Sequence, residues 1–159
     1  EWTSEKTFLE DENSLYFSGG WMDGADYALT LRLAKAEATK NLLESVQIKT
    51  RSEFGAAMHG NNKNMSDVGR YVTDAVAWVV DGLRISGIRQ REIHYEQVFG
   101  PMEQSARYNA WIQLEIAKAD YRKARIDAVH KLLDKAIQEK NQEAKDAAQE
   151  LLERLRQEI

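Results

Sequence analysis

Residues 27–54, YALTLRLAKAEATKNLLESVQIKTRSEF, contain a change of hydrophobic period that decides the predicted fold. Apolar residues first recur every three or four positions, which is typical of one face of an α-helix. From Val46 the period falls to two, which is typical of a strand with one buried face and one face in water. The helical positions are Tyr27, Leu31, Ala34, Ala38, Leu42 and Val46, and the strand positions are Val46, Ile48, Thr50, Ser52 and Phe54. The stretch therefore predicts a helix over residues 25–45 that leads directly into a strand over 46–54.

Further strands and helices are predicted on both sides of this stretch. Alternation predicts a first strand over 15–21, whose glycines indicate a bulge or a close approach of another backbone. A helix is expected over 65–80, followed by long strands over 83–99, with a bulge or a bend near Gly87, and over 106–116. In the last strand the residues expected to point inward are Ala106, Tyr108, Ala110, Ile112, Leu114 and Ile116. The prediction is an α+β fold of order β-α-β-α-β-β-α, with a mainly antiparallel four-stranded sheet and the helices on one face.

The last part of the chain differs in composition from the rest. Residues 119–159 contain no Gly and no Pro, so a long amphipathic helix is predicted there. It would follow an extended acidic lead-in over 1–13 and an α+β domain over 14–118. Its apolar stripe needs cover, and two arrangements stay open: the helix folds back or breaks near residues 140–141, or it projects and pairs with another chain. The second arrangement predicts a homo-oligomer whose contacts are Ile137, Ala144, Ala148, Leu151 and Leu155.

Composition and charge exclude several classes of function. The net charge is −4 and no basic stripe exists, so nucleic-acid binding is not expected. The chain has no cysteine, which excludes disulfides and thiolate chemistry. No apolar run approaches the length that a transmembrane helix needs. Because the chain opens at Glu1 rather than Met, we expect that an N-terminal segment has been removed, by processing or by design of the expressed chain. A signal peptide or a lipid-carrying cysteine could have stood there.

No set of residues assembles a recognisable active site. The Gly-x-Ser-x-Gly and phosphate-binding glycine spacings are absent, so no catalytic residue and no cofactor is predicted. His94 shares a strand face with Glu92 and Glu96, a spacing that could hold a cation. Such a set on an exposed strand is more often a solvated ion-pairing surface, and no metal is predicted. The sequence therefore indicates a protein that is not an enzyme.

The open face of the predicted sheet collects basic and aromatic residues. Such a face could bind an anionic polymer or a glycan, because aromatic rings stack on flat ligands and basic groups pair with acidic ones. The alternative is a solvated face whose charges form cross-strand pairs. The candidate binding residues are Lys49, Arg51, Arg89, Arg91, Tyr95, Arg107 and Trp111.

The order of the predicted elements contains a pattern over residues 14–123. A strand that ends in glycine precedes an alanine-rich helix, a strand follows that helix directly, and two long antiparallel strands come after a second helix. The second long strand carries Trp111, and Asp120 opens the terminal helix. The stretches are residues 16–20, 28–46, 46–52, 85–95 and 108–116. In this pattern the chain resembles the small bacterial envelope lipoproteins of the LPP type and the related N-terminal domain of the flagellar outer-membrane ring protein.

The resemblance implies a location in the periplasm or at the outer membrane of a Gram-negative bacterium. It also implies a structural or assembly role and supplies no catalytic residues. The expected function is therefore a non-enzymatic envelope protein that self-associates or docks into an envelope complex. The alternative is a binding module that takes an anionic or glycan ligand on its open sheet face.

Overall fold

The computed structural model describes residues 8–58, 87–101 and 105–158. The predicted α+β class and the four-stranded antiparallel sheet are confirmed, with spatial strand order β1-β2-β4-β3. In chain order the described elements are strands β1 (Phe8–Glu10) and β2 (Ser14–Gly24), helix α1 (Tyr27–Ala57), strands β3 (Ile88–Val98) and β4 (Arg107–Ala117), and helices α2 (Lys118–Gln138) and α3 (Gln142–Gln157). The helix predicted over 65–80 lies outside the described residues.

The chain divides into two compact units. Unit 1 comprises Glu1–Leu42 and Ile88–Lys118, and unit 2 comprises Leu43–Gly87 and Ala119–Ile159. The core of unit 1 forms where small residues of α1 meet the middle of β4. The residues in contact there are Ala34, Ala38, Ala110, Ile112 and Leu114, all buried, with Leu31 and Ile88 packed against them. The predicted inward direction of Ala110, Ile112, Leu114 and Ile116 is thus confirmed.

The strand predicted over residues 46–54 is wrong, because α1 continues without a break to Ala57. Val46, Thr50 and Phe54 are buried and stand four residues apart, a spacing that satisfies a helix as well as a strand. Ile48 separates the two interpretations, since a strand would bury it with Val46 and the helix leaves its side chain 68% exposed. The fourth strand is instead β1, which lies in the predicted lead-in and pairs Phe8 with Phe17 of β2.

Strand β3 contains the predicted irregularity at a different place. The pairing with β4 shifts between Gln90 and Glu92, so Arg91 is the extra residue of a β-bulge. The described strand starts at Ile88, next to the position where the sequence predicted a bulge. Residues 83–86 of the predicted strand lie outside the described residues.

The single long helix predicted for the end of the chain is wrong, and the alternative of a break near residues 140–141 is confirmed. Lys140 has a φ of 54°, a left-handed conformation that ends a helix, and the N–H of Asn141 donates to the carbonyl of Ala136 at 2.9 Å. The side chain of Asn141 then caps α3 by accepting from the N–H of Ala144 at 3.1 Å. The break therefore has a local cause in two adjacent residues.

The break also changes the surface that was predicted to bind another chain. Ala144, Ala148, Leu151 and Leu155 are at most 1% exposed, so they are already covered within this chain. Only Ile137 of the predicted set is exposed, at 52%. These four positions cannot meet a second copy unless unit 2 opens. The predicted contact surface on the C-terminal helix is corrected accordingly.

Polar contacts also connect the helices of unit 2. Arg125 of α2 is buried and pairs with Glu53 of α1 and, at 3.7 Å, with Glu158. The hydroxyl of Tyr121 lies 2.9 Å from Ser45 Oγ, and burial raises the pKa of this tyrosine. Within the described ranges, no helix is both long and apolar enough to cross a membrane.

Candidate functional site

The face of the sheet opposite α1, called here the outer face, carries a row of three residues from neighbouring strands. Trp111 of β4 pairs with Gly20 of β2 on one side and with His94 of β3 on the other. A Cβ added to Gly20 would lie 2.7 Å from Trp111 Cδ1, so the indole ring occupies the space above the Gly20 backbone. The rings of His94 and Trp111 have centroids 5.4 Å apart. Because Gly20 has no side chain, the Trp111 ring can lie over the backbone of β2, with the His94 ring of β3 on its other side.

A second group on the outer face contains Tyr16, Arg91 and Asp11. The bulge in β3 places the Arg91 guanidinium 4.5 Å above the centre of the Tyr16 ring, a cation–π contact. The Tyr16 hydroxyl donates to the Asp11 carboxylate. The backbone N–H groups of Asn13 and Ser14 donate to the other carboxylate oxygen at 2.9 and 2.7 Å. These contacts connect Asp11, in the turn before β2, to Ser14 and Tyr16 at the start of β2.

Hydrogen bonding shifts the pKa values of Asp11 and Tyr16 in opposite directions. The pKa of Asp11 is lowered, first by the Tyr16 hydroxyl and then by the two backbone N–H groups, because all of them favour the charged carboxylate. The pKa of Tyr16 is raised, chiefly because its hydroxyl proton is held by Asp11. Asp11 is therefore an ionised acceptor at neutral pH. It performs a structural task and offers no proton for catalysis.

The remaining basic residues of the outer face also have acidic neighbours. Arg89 is the cross-strand partner of Glu115, which in turn accepts from the Ser14 hydroxyl at 2.9 Å. Arg107 Nε lies 3.8 Å from a carboxylate oxygen of Asp23. These contacts fit the alternative of a face with cross-strand pairs, but the face is not solvated throughout, since Ser14, Tyr16, Ser18 and Gln113 on it are buried.

The structure brings together only part of the predicted binding set. Arg89, Arg91, Arg107 and Trp111 share the outer face, as the register of β3 with β4 and the Tyr16 contact require. Tyr95 lies on the other face, where its ring centroid is 5.0 Å from that of Tyr27. The extra residue at Arg91 is the cause, because a bulge reverses the facing of every later residue in the strand.

Two predicted residues are not in the sheet at all. Lys49 and Arg51 are exposed residues of α1 in unit 2, because the strand that was to carry them is helical. In their place the outer face includes Asp11, Tyr16 and His94, which the sequence reasoning did not assign to a binding face. An aspartate two or three residues before a strand is a typical Asx-turn signal, so Asp11 could have been found from its spacing to Asn13 and Ser14.

The candidate cation set is an ion-pairing surface in this structure. His94 Nε2 lies 3.6 Å from Glu96 Oε1, and both side chains are about half exposed. Across residues 8–58, 87–101 and 105–158, no group of three His, Cys, Asp or Glu residues is placed to hold a metal ion. What His94 and Glu96 offer is an imidazole and a carboxylate side by side on an accessible strand.

That strand, β3, is also the edge of the described sheet. It pairs with β4 on one side, and its ten residues after Ile88 are all exposed. Large apolar side chains are exposed along it and just beyond it, namely Ile93, Tyr95, Val98 and Phe99. A long strand of this kind presents backbone N–H and C=O groups to any strand that can lie beside it. We call residues 88–98 with this free side the β3 edge.

The structure contains only some elements of the order described above. Strand β2 leads to the alanine-rich α1, but it continues past Gly19 and Gly20 to Gly24, and β3 and β4 are long antiparallel neighbours. Residues 46–52, the strand expected directly after the helix, belong to α1. A scan against protein-family models and searches of curated proteins and of solved structures found no match to this chain.

Proposed function

We propose that this chain is a non-enzymatic assembly protein that joins protein partners through the β3 edge. The observation that carries the proposal is the exposure, on both faces of β3, of the ten residues that follow Ile88. An exposed edge pairs with other strands unless it is short, covered, bulged or charged. The charged residues and the bulge of β3 would therefore admit only a strand whose charges complement them. Strand addition to a sheet edge is also a common mode of protein recognition, in which backbone hydrogen bonds give affinity and side chains give specificity.

The charged groups of the outer face support an interaction role over a catalytic one. The Asp11 carboxylate is saturated by Tyr16 and two backbone N–H groups. Arg91 stacks on the Tyr16 ring, and Arg107 lies near Asp23. Groups engaged in this way stabilise the sheet that displays β3. The acid and base of a catalytic pair would instead face a common space where a substrate could enter.

The location is proposed from the family resemblance. An envelope lipoprotein-like protein would act in the periplasm or at the outer membrane of a Gram-negative bacterium. A homo-oligomer remains part of the proposal, together with an envelope assembly partner. The contact moves from the C-terminal helix to β3, since Ala144, Ala148, Leu151 and Leu155 are buried.

Site-specific photo-crosslinking in cells tests this proposal. A photoreactive amino acid replaces Gln97 on β3 in one variant and Arg32 on α1 in the control, and both native side chains are exposed. We expect adducts from position 97 with a protein that mass spectrometry identifies, in the envelope fraction, and none from position 32. Absence of adducts at position 97, or equal yields at both positions, would contradict the proposal. Recovery of the chain outside the envelope would contradict the location.

A second candidate function is binding of an anionic glycan on the outer face. The Trp111 ring over Gly20, with His94 beside it and Arg91 on the same face, is the observation that favours it. Titration with soluble peptidoglycan fragments tests it by calorimetry. Trp111→Phe should weaken binding, and Trp21→Phe should not, because Trp21 pairs with the inward-facing Ala110. No heat of binding to the unaltered chain would exclude this candidate.

A further inference from the structure

We propose that the partner of the β3 edge is the same strand of a second copy of this chain, paired antiparallel about Ile93. The two four-stranded sheets would then continue into each other. The inference rests on the proposed function, since it names the partner and the register for the same edge. Its basis is the order of charged residues along β3. In one antiparallel register this order places unlike groups of the two copies opposite each other.

The geometry of such a pair limits the possible registers. A two-fold axis perpendicular to the sheet keeps the outer face of one copy next to the outer face of the other. Residues directly opposite must therefore come from the same face. Pairing with β4 assigns Glu92, His94 and Glu96 to the outer face and Ile93 and Tyr95 to the inner face.

Centring the pair on Ile93 places unlike groups opposite each other near the axis. Ile93 meets Ile93 of the second copy on the inner face. Glu92 meets His94 of the second copy on the outer face, and the symmetry repeats this contact. The Ile93 side chain is 46% exposed in the single chain, so it has apolar surface left to bury.

The bulge also places complementary residues of the two copies opposite each other farther from the two-fold axis. Because Arg91 is an extra residue, the residues before it are displaced by one place in the alternation. Glu96 then faces Arg89 of the second copy on the outer face. On the inner face Tyr95, which is 53% exposed, faces Gln90 of the second copy. Arg89 and Glu96 therefore meet as opposite charges, and Glu92 meets the His94 imidazole, whose N–H can donate a hydrogen bond to a carboxylate.

Neighbouring registers lack this agreement. Centring on His94 places Glu92 opposite Glu96 on both sides of the axis, and like charges directly opposite are unfavourable. Centring on Tyr95 retains a contact between His94 and Glu96 but moves Arg89 past the end of the partner strand. The charged residues of β3 thus favour the register centred on Ile93. They also disfavour pairing with a strand whose charged residues are all acidic or all basic.

Charge exchange tests the pairing between Arg89 and Glu96. In sedimentation of the full chain at tens of micromolar, we expect a dimer whose dissociation constant rises about tenfold or more in Glu96→Arg and in Arg89→Glu. Mixing these two variants should restore dimers, since each then supplies the charge that the other needs. Glu44→Arg makes the same charge change at an exposed position of α1 and should leave the dimer unchanged. Single variants that dimerise like the unaltered chain would overturn the register.

Cysteine cross-linking gives an independent readout that does not alter Arg89, which stands beside Glu115 in the fold. The chain has no cysteine, so Ile93→Cys introduces one thiol per copy at the proposed axis. Residues directly opposite in an antiparallel pair have the separation that a disulfide needs. We expect oxidation to give a covalent dimer in high yield with Ile93→Cys and low yield with His94→Cys. The reverse order would overturn the centre at Ile93.

The outcomes also separate this inference from the proposed function. If Ile93→Cys does not cross-link while position 97 forms adducts with an identified envelope protein other than this chain, self-pairing is wrong and the assembly function stands. If position 97 forms no adduct and the chain is monomeric, both are wrong.

Discussion

Gly19 of β2 lies directly against the backbone of Ala38 in α1. A Cβ added to Gly19 would stand 2.1 Å from the Ala38 nitrogen and 2.7 Å from the Ala34 carbonyl oxygen, distances that no side chain can occupy. At this contact the backbone of α1 therefore lies directly against the backbone of β2. Next to this contact the Asn41 side chain donates to the Ser18 carbonyl at 2.8 Å. Of the two alternatives that the glycines of this strand left open, a bulge or a close approach, the close approach is confirmed at Gly19, and it holds α1 on the inner face.

Gly19→Ala should therefore destabilise the protein by about 3 kcal/mol or more, because both atoms in the way are backbone atoms that cannot move separately. Gly55→Ala is the matched control. Position 55 is in α1 with nothing within 4 Å of an added Cβ, so alanine should stabilise by about 0.5–1 kcal/mol through helix propensity. Urea unfolding measures both values. Equal effects of the two substitutions would contradict the close contact.

Ile112→Ala should destabilise by roughly 2–5 kcal/mol, as should Leu114→Ala, because both side chains are at most 2% exposed in the core of unit 1. Ile48→Ala removes the same atoms as Ile112→Ala from a helix surface position and should change stability by less than about 0.5 kcal/mol. Thermal or urea unfolding gives the comparison. A large loss of stability in Ile48→Ala would contradict the helix over residues 46–54 and favour the predicted strand.

Glu53→Gln should destabilise unit 2 by about 2 kcal/mol, because it leaves the buried Arg125 guanidinium without its closest carboxylate. The double variant Glu53→Gln with Arg125→Met should regain part of this loss, since no unpaired charge stays buried. Glu158→Gln is the control, as its carboxylate is 3.7 Å from Arg125 and about half exposed. A double variant less stable than the sum of the single effects would contradict the pairing.

The Asp11 carboxylate should stabilise the fold only while it is charged. Its pKa in the folded chain is below the ordinary 3.8, so its contribution is complete at neutral pH and is lost as the pH falls through the folded value. The stability difference between the unaltered chain and Asp11→Asn should therefore shrink in acid. Tyr16→Phe removes the largest cause of the shift and keeps the ring under Arg91, so the pKa of Asp11 should rise. Urea unfolding at several pH values measures the first effect, and carbon NMR of the Asp11 carboxyl measures the second. An unchanged pKa in Tyr16→Phe would contradict the hydrogen bond.

Local sequence determined the elements whose pattern has a single interpretation. Alternation over residues 107–117 predicts β4 because only a strand places Ala110, Ile112, Leu114 and Ile116 on one side. The break between α2 and α3 was open in the sequence as one of two arrangements. Asn141 is a strong N-cap, and it favours the break that the structure has.

Only the tertiary structure decided the features that depend on what each residue packs against. Val46, Thr50 and Phe54 fit a helix and a strand equally by spacing, and the burial of Ala57 one turn later shows that the helix covers all four on one side. The facing of Tyr95 depended on the bulge at Arg91, which is visible only in the pairing with β4. Periodicity reports which residues share a face of one element, whereas the partner that buries that face is set by contacts between distant parts of the chain.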